Sequence, residues 1–408
     1  MNKKRLEALL ADKPVRALLG LLNEDGAETR IVGGAVRNTL LGAPVADIDL
    51  ATALPPTDAA ARLRAAGYKV IPTGIAHGTI TVVLDGRSFE VTTLREDVET
   101  DGRHATVRFG RDFAGDARRR DFTVNAMSLT LDGHLHDYCG GLADLAARRI
   151  RFIGDARQRI REDYLRILRL FRFHAQYGAG RLDPEGYAAA IAERDGLRRL
   201  SRERIRQEML KLLVAPGAVA TVTALTEAGL ADAVIGGVDW RGRFAQLVAL
   251  APEADAMLRL ATLALAIRED VARLTDRLRL TRAEQGRLTR LAELAERFHD
   301  RAVPGEDEAK ALIYRAGAQA VRDAALLLAA QGRATLEQAA ALSQRWSPPP
   351  PPFAGRDLAA LGIGTGPRMG LILKSAEERW LAAGLPEDGE RRMAILREAA
   401  AAAHGRAE

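Results

Sequence analysis

Asp47 and Asp49 stand two residues apart in the run Asp47-Ile48-Asp49-Leu50-Ala51-Thr52. Side chains alternate along a strand, so both carboxylates project from one face. Two hard anionic oxygens side by side suit Mg²⁺, which takes one or two carboxylates and shares a substrate's phosphates. A pair of such ions about 3.5–4 Å apart activates an attacking hydroxyl and stabilises a leaving pyrophosphate. Glu90 alternates with Phe89 and Val91 in a second β-rich run and offers a third carboxylate. A lone D-x-D pair is a common strand-end pattern, so its surroundings decide its meaning. Upstream, Ile31-Val32 runs through Gly33-Gly34 into Ala35-Val36-Arg37, a strand turning through glycines into a helix. Glycines let the backbone approach phosphate, and a helix N-terminus offers free N–H groups and positive potential. Arg37 adds a forked cation for a triphosphate. Phosphate loop and carboxylate pair together imply transfer of a nucleotidyl group.

A second constellation lies in Glu162-Asp163-Tyr164-Leu165-Arg166-Ile167-Leu168-Arg169-Leu170-Phe171-Arg172-Phe173. Read as a continuous helix at about 100° per residue, it gathers Tyr164, Ile167, Leu168 and Phe171 in one sector. Arg166, Arg169 and Arg172 gather in another. Taken alone, this is also the pattern of an ordinary core helix with a solvated basic face.

Elements must exist to position these groups. Short β-rich runs at 29–34, 47–52, 68–72, 78–84, 88–94 and 121–129 fill the chain up to residue 145. A helix across 55–67 has Thr57 or Asp58 as its cap and Gly67 as its stop. Few residues separate the strands, which predicts a mixed sheet rather than a parallel one. Between Arg95 and Arg118 the charge is mixed and glycines stand at 102, 110 and 115, the composition of a mobile loop. Beyond 145, Ala, Leu, Arg and Glu recur with a period near 3.6, as in the amphipathic stretch 282–298. Pro348 to Pro352 form a stiff spacer, and a last helical unit follows over 354–403. The fold class is α+β.

Composition narrows the setting. Hydrophobic residues make up 47% of the 408, ample for a core. Sixty basic against 54 acidic residues leave +6, a balance that suits a polyanionic partner without demanding one. The single Cys139 excludes an intramolecular disulfide and a cysteine-rich zinc site, and it fits a reducing compartment. Residues 1–20 carry charges throughout their apolar positions and read as a short amphipathic helix, not a signal peptide. No run is long enough to span a bilayer. The expectation is a cytoplasmic protein with no membrane association and no obligate protein partner.

The motifs are also specific in kind. Gly33-Gly34-Ala35-Val36-Arg37 followed by Asp47-Ile48-Asp49 resembles the signature of the class II tRNA nucleotidyltransferase and poly(A) polymerase family. Arg119-Arg120-Asp121 with Phe122-Thr123-Val124-Asn125-Ala126 resembles its second motif, which implies that Arg120 contacts the incoming nucleotide. Asn38 departs from the Asp more usual in the family. Asp163 and Arg166 match its E-D-x-x-R motif, which implies a protein template. A carboxylate accepts from the exocyclic amine of cytosine or adenine, while Arg donates to the neighbouring ring acceptor. Uracil and guanine would set an oxygen against Asp163, at a cost of roughly 1–3 kcal/mol. Arg169 and Arg172 would then meet base or phosphate. Ser201 to Glu208 resembles the helical motif that follows, a buttress, and segments near Gly355 and Gly366 resemble the family's C-terminal region.

The resemblance implies a polymerase beta-like catalytic head (1–145), a neck carrying the nucleotide-selecting motif (146–215), a tRNA-binding body (216–346) and a tail (353–408). It implies template-independent addition of the 3′-terminal CCA of tRNA from CTP and ATP, with two Mg²⁺ ions. Thr73 to Thr79, with His77, and Thr92 to Ala105 resemble CCA-adding members, in which the 95–118 loop helps switch from CTP to ATP. A poly(A) polymerase of the same family and a catalytically inactive RNA-binding protein are the alternatives. Loss of Asp47 or Asp49 would mark the latter, and both are present.

Overall fold

The computed structural model describes residues 2–75, 78–101 and 104–404; His77 lies outside them. The strands are β1 (Thr29–Val32), β2 (Ile48–Thr52), β3 (Lys69–Gly74), β4 (Thr79–Leu84), β5 (Arg87–Thr93), β6 (Arg95–Asp101), β7 (His104–Phe109), β8 (Met127–Leu129) and β9 (Leu135–Asp137). Seven of them form one sheet in the order β3-β4-β5-β2-β1-β8-β9. The β2–β5 pair is parallel and its neighbours are antiparallel, so the sheet is mixed, as the short connections require.

The chain divides into two compact units. The first comprises residues 1–200, 215–221 and 228–230; the second holds the remainder. In the first, the sheet is joined by helices α1 (Asn2–Ala11), α2 (Lys13–Leu22), α3 (Gly34–Leu41), α4 (Pro56–Ala65), α5 (Phe113–Arg119), α6 (Gly141–Ala146), α7 (Ala156–Glu162), α8 (Leu165–Tyr177) and α9 (Pro184–Ala192). One sheet face carries Ile31 opposite Leu50 and Ile48 opposite Phe89, all buried. On that side the Thr29 hydroxyl donates to the Leu22 carbonyl at 3.0 Å, tying α2 down. The other face buries Val32, Ala51 and Leu94 beneath Phe113, the first residue of α5.

Several local readings change in the structure. The N-terminal segment is two helices, because the Asp12 carboxylate accepts from the Val15 N–H at 3.2 Å and starts α2. Helix α4 begins at Pro56 with no side-chain cap, since a proline at N1 has no N–H to satisfy there. The 95–118 segment is not a loop: β6 and β7 pair as an antiparallel ribbon, from Arg95 opposite Phe109 to Asp101 opposite His104, and α5 follows. Its charges hide the strand alternation, although Asp101-Gly102 is itself a hairpin-turn dipeptide. Within 121–129 only Met127–Leu129 is strand. Asp121 accepts from the Phe122 N–H at 2.8 Å and from the Asn125 amide at 3.0 Å, and these local bonds turn the backbone through Thr123–Asn125.

The second unit is helical. The helix Arg282–Phe298 spans the predicted stretch and opens with a capping box between Thr281 and Glu284. Arg206 reaches Glu284 at 2.7 Å and Arg287 joins Asp255 and Asp323, so ion pairs cross-link its helices. The tail helices Gly355–Ala359, Pro367–Ala382 and Gly389–His404 share a core of Leu358, Ile372, Ala376 and Leu396. Trp380 packs edge-on against Tyr314, whose hydroxyl donates to Glu377 at 2.6 Å. Among the described residues no helix is long and apolar enough to cross a membrane.

Candidate active site

Strand β1 ends at Val32, and the chain turns at Gly33 with φ +69°, a conformation glycine adopts without strain. A Cβ at Gly33 would lie 2.8 Å from an Arg120 Nη atom, so the missing side chain is also what admits that guanidinium. Helix α3 starts at Gly34, aiming its free N–H groups into the same space. Val32 pairs with Asp49, and Asp49 pairs with Glu90, one strand over in each case. Register partners share a face, so the two carboxylates stand side by side at about 4.8 Å strand spacing. Asp47 precedes β2 by one residue and is exposed; Asp49 is half-buried and Glu90 exposed. Burial pushes the Asp49 carboxyl up; Glu90 and Asp47 add to this, and Arg120 opposes it. Asp47, Asp49, Glu90, Arg120 and the glycine turn therefore form one electrostatic group.

This donor set fits Mg²⁺. Among the described residues no three acidic, His or Cys side chains are grouped to hold a metal by themselves. Mg²⁺ seldom uses such a cage and completes its octahedron with substrate phosphate and water, for which a carboxylate pair on an open face suffices.

Arg37 sits deeper than its sequence position suggests. It is buried, and its guanidinium donates to the Asn38 side chain at 2.8 and 3.1 Å, to the Tyr177 hydroxyl at 2.8 Å and to the Asn125 side-chain oxygen. Burial lowers its pKa from the ordinary arginine value. Asn38 in turn donates to the Pro44 carbonyl at 2.9 Å, so the residue that departs from the family pattern still anchors Arg37. From Asn125 the network continues to Asp121, which receives Arg169 Nε at 2.8 Å. Burial alone would raise the Asp121 carboxyl, but Arg169, Asn125 and the Phe122 N–H hold it below the usual range. The glycine-turn helix, the 121–125 turn and α8 are thus one hydrogen-bonded assembly.

The expected helix over 162–173 is broken. Asp163 is extended (φ −153°), ends α7 and accepts from the Leu165 N–H at 3.1 Å, opening α8. An Asp whose carboxylate bonds the backbone two residues on turns the chain there and interrupts the 3.6 period that the apolar pattern otherwise continues. Arg166 remains close, donating to Glu162 at 2.7 Å and to the Arg159 carbonyl at 2.9 Å. Arg169 lies on Asp121, and Arg172 stacks over the Phe173 ring at 4.2 Å. Arg166 thus serves neighbours of its own, whereas Arg169 and Arg172 share the Phe173 ring, Arg169 at 5.1 Å. Sequence reading passed over Tyr177, which lies one turn beyond Phe173 on the same face; extending the helical pattern past 173 would have found it.

Residues 29–151 match the Poly A polymerase head domain, and 181–239 match a family described as a probable RNA and SrmB-binding site of polymerase A. A CCA tRNA nucleotidyltransferase 1 (mitochondrial) from Danio rerio is 37% identical over 93% of this chain and 89% of its own length. The Mus musculus counterpart is 35% identical over 91% and 86%. The chain belongs to the CCA-adding tRNA nucleotidyltransferase family. A solved relative, the Bacillus stearothermophilus CCA-adding enzyme in complex with CTP, has a TM-score of 0.75 at 26% identity, covering 98% of this chain and 99% of the other. As a nucleotidyltransferase this family member depends on a divalent metal. Gly33, Asp47, Asp49, Glu90 and Arg120 fall within the matched head, whereas Asp163, Arg166, Arg169 and Arg172 fall between the two matched segments.

Proposed function

We propose that the protein adds and repairs the 3′-terminal CCA of tRNA, taking CTP and ATP and releasing pyrophosphate. The observation that carries this is the register Val32–Asp49–Glu90, which sets the carboxylates beside the phosphate-binding turn on one sheet face. The RNA 3′-hydroxyl oxygen attacks the α-phosphorus of the bound triphosphate. A new O–P bond forms, the bond to the bridging oxygen of the β-phosphate breaks, pyrophosphate leaves with that electron pair, and the hydroxyl proton passes to solvent. Asp47 and Asp49 would hold Mg²⁺, as two ions, with Glu90 alongside, and the metal would supply charge neutralisation at the phosphates and a more acidic hydroxyl. Gly33 and Gly34 admit the triphosphate to the N-terminus of α3, and Arg120 lies beside them with its Nε and Nη2 on Asp116.

Asp163 and Arg166 select the base, Arg166 exchanging Glu162 for the ring acceptor of cytosine or adenine. Arg169 and Arg172 hold the α8 side of the same nucleotide. We place the head at 1–145, the neck at 146–215, a tRNA-binding body at 216–346 and the tail at 353–408, a finer division than the two compact units. The lone thiol suits a reducing compartment, and the cytoplasm is our assignment. The test supplies tRNA ending one residue short with ATP, and tRNA lacking all three residues with CTP, each with Mg²⁺. Incorporation that EDTA stops is the expected result; no incorporation into either substrate contradicts the reading.

A further inference from the structure

Phe173 is the meeting point of three cations. The guanidinium carbons of Arg172, Arg169 and Arg37 lie 4.2, 5.1 and 5.2 Å from its ring centre. They reach it from different parts of the chain: two from α8 and one from α3. The ring is buried, packed against Phe122 at 5.2 Å and Tyr177 at 5.7 Å between centroids. Tyr177, one helical turn on, takes Arg37 twice: its hydroxyl accepts from Nη2 at 2.8 Å and its ring lies 4.1 Å under the guanidinium carbon. The described hydrogen-bond partners of Arg37 are Asn38, Asn125 and Tyr177, all neutral. The direct partners of this buried cation are neutral dipoles and ring faces, with the Asp121 carboxylate acting on it from one residue further along the network, so its charge is left open to an approaching anion. Its Nη2 lies 3.5 Å from where a Cβ on Gly34 would stand, directly beneath the turn that admits phosphate.

We propose that Tyr177 is a positioning residue for nucleotide binding: it fixes the Arg37 guanidinium under the Gly33-Gly34 turn, and with Phe173 it locks that turn to the base-selecting helix α8. The inference rests on the reading of this site as a nucleotide site. It assigns Tyr177 to the triphosphate and not to the base, so CTP and ATP must feel its loss equally. Tyr177→Phe keeps the ring and removes only the hydroxyl; Tyr177→Leu removes both.

The experiment measures kcat and KM for CTP and ATP with tRNA substrates lacking the appropriate residues, and the choice among all four nucleotides. It also measures binding of inorganic tripolyphosphate by calorimetry and the melting temperature of each variant. For Tyr177→Phe, KM rises about tenfold for both nucleotides, the worth of one hydrogen bond to a charged group, with kcat within about twofold. Tripolyphosphate weakens by the same factor, base choice stays as in the parent, and Tyr177→Leu is worse on every binding measure. Unchanged KM and tripolyphosphate affinity in a folded Tyr177→Phe protein overturn the assignment, and so does a shift in base choice. Weaker binding only in proportion to a lowered melting temperature, restored on cooling, also overturns it in favour of a packing role. Should the parent protein extend no tRNA, the function reading falls, yet the tripolyphosphate measurement still decides the role of Tyr177.

Discussion

At Asp49 the chemistry and the fold meet in one side chain, half-buried between Val32 and Glu90 on neighbouring strands. If Asp47 and Asp49 hold the metal as proposed, replacing either with Ala raises the barrier by several kcal/mol and slows transfer about a thousandfold or more. On the same reading tRNA affinity should survive, since phosphate contacts from the basic helices would supply it. Steady-state turnover at saturating Mg²⁺ alongside a filter-binding titration checks both halves; near-normal turnover in either variant removes that residue from the centre. Asp163→Ala should slow CTP and ATP use and narrow the discrimination against UTP and GTP by about one order of magnitude. Competition between labelled nucleotides reads this directly, and an unchanged preference returns Asp163 to shaping the turn into α8. The placement of Asp47 and Asp49 at the strand Ile48–Thr52, and of Gly33-Gly34 at a strand-to-helix turn, was legible because strand alternation and the glycine turn are local rules. The Arg37–Tyr177 bond was not, since it joins residues 140 positions apart that only tertiary packing brings together.

At the scale of elements, Asp144 pins α6 to the core. It is fully buried, accepts from the Thr123 hydroxyl and pairs with Arg149 and with Arg151 at 3.0 Å. Burial by itself would raise its carboxyl, but Thr123 and the two arginines hold it below the usual value. A carboxylate depressed in the folded state contributes stability above its unfolded pKa, near 3.9, and loses it as pH falls through the folded value. Acid unfolding of the parent should therefore steepen below about pH 4, and Asp144→Asn should flatten that limb. At neutral pH the variant should lose about 1–3 kcal/mol, toward the low end because both arginines remain partly in water. Denaturant melts at a series of pH values measure it, and an identical acid limb in the two proteins removes Asp144 from the explanation.

The ribbon β6–β7 belongs to the same scale. Gly110 N–H bonds to the Leu94 carbonyl at 2.9 Å, closing the ribbon at its base, and Leu94 packs with Phe113 beside Val32. The ribbon thus springs from the same sheet face as the carboxylates. Deleting residues between Gly102 and Gly110 should leave products that stop after CC, with CTP incorporation largely kept. Gel analysis of product length tests this, and normal completion with A by the shortened protein contradicts it. Strand alternation in the ribbon was hidden by consecutive charges such as Arg95-Glu96-Asp97, while the long helices of the second unit announced themselves through unbroken 3.6 periodicity. The break at Asp163 escaped because apolar spacing on its two sides stays in phase.

Across the whole molecule, identity with the vertebrate relatives extends over more than nine-tenths of the chain, so the correspondence reaches both compact units and not the head alone. The sequence already indicated the α+β order of a mixed sheet followed by helices. The division between units was less legible, because the helices after 145 share one composition, and membership is decided by which faces pack together. On the proposed reading one base-selecting pocket accepts cytosine twice and adenine once, so the growing RNA end and the 95–118 segment set the order of addition. The most direct measurement offers tRNA stripped of its last three residues to the protein with all four nucleotides, and with each alone, and sequences every extended end. CTP alone should give ends in CC, ATP alone almost nothing, and the full mixture a single product ending in CCA without U or G. Long adenosine tails made from ATP alone, on this tRNA or on generic RNA and at rates matching CTP incorporation, would contradict CCA addition and identify a poly(A) polymerase.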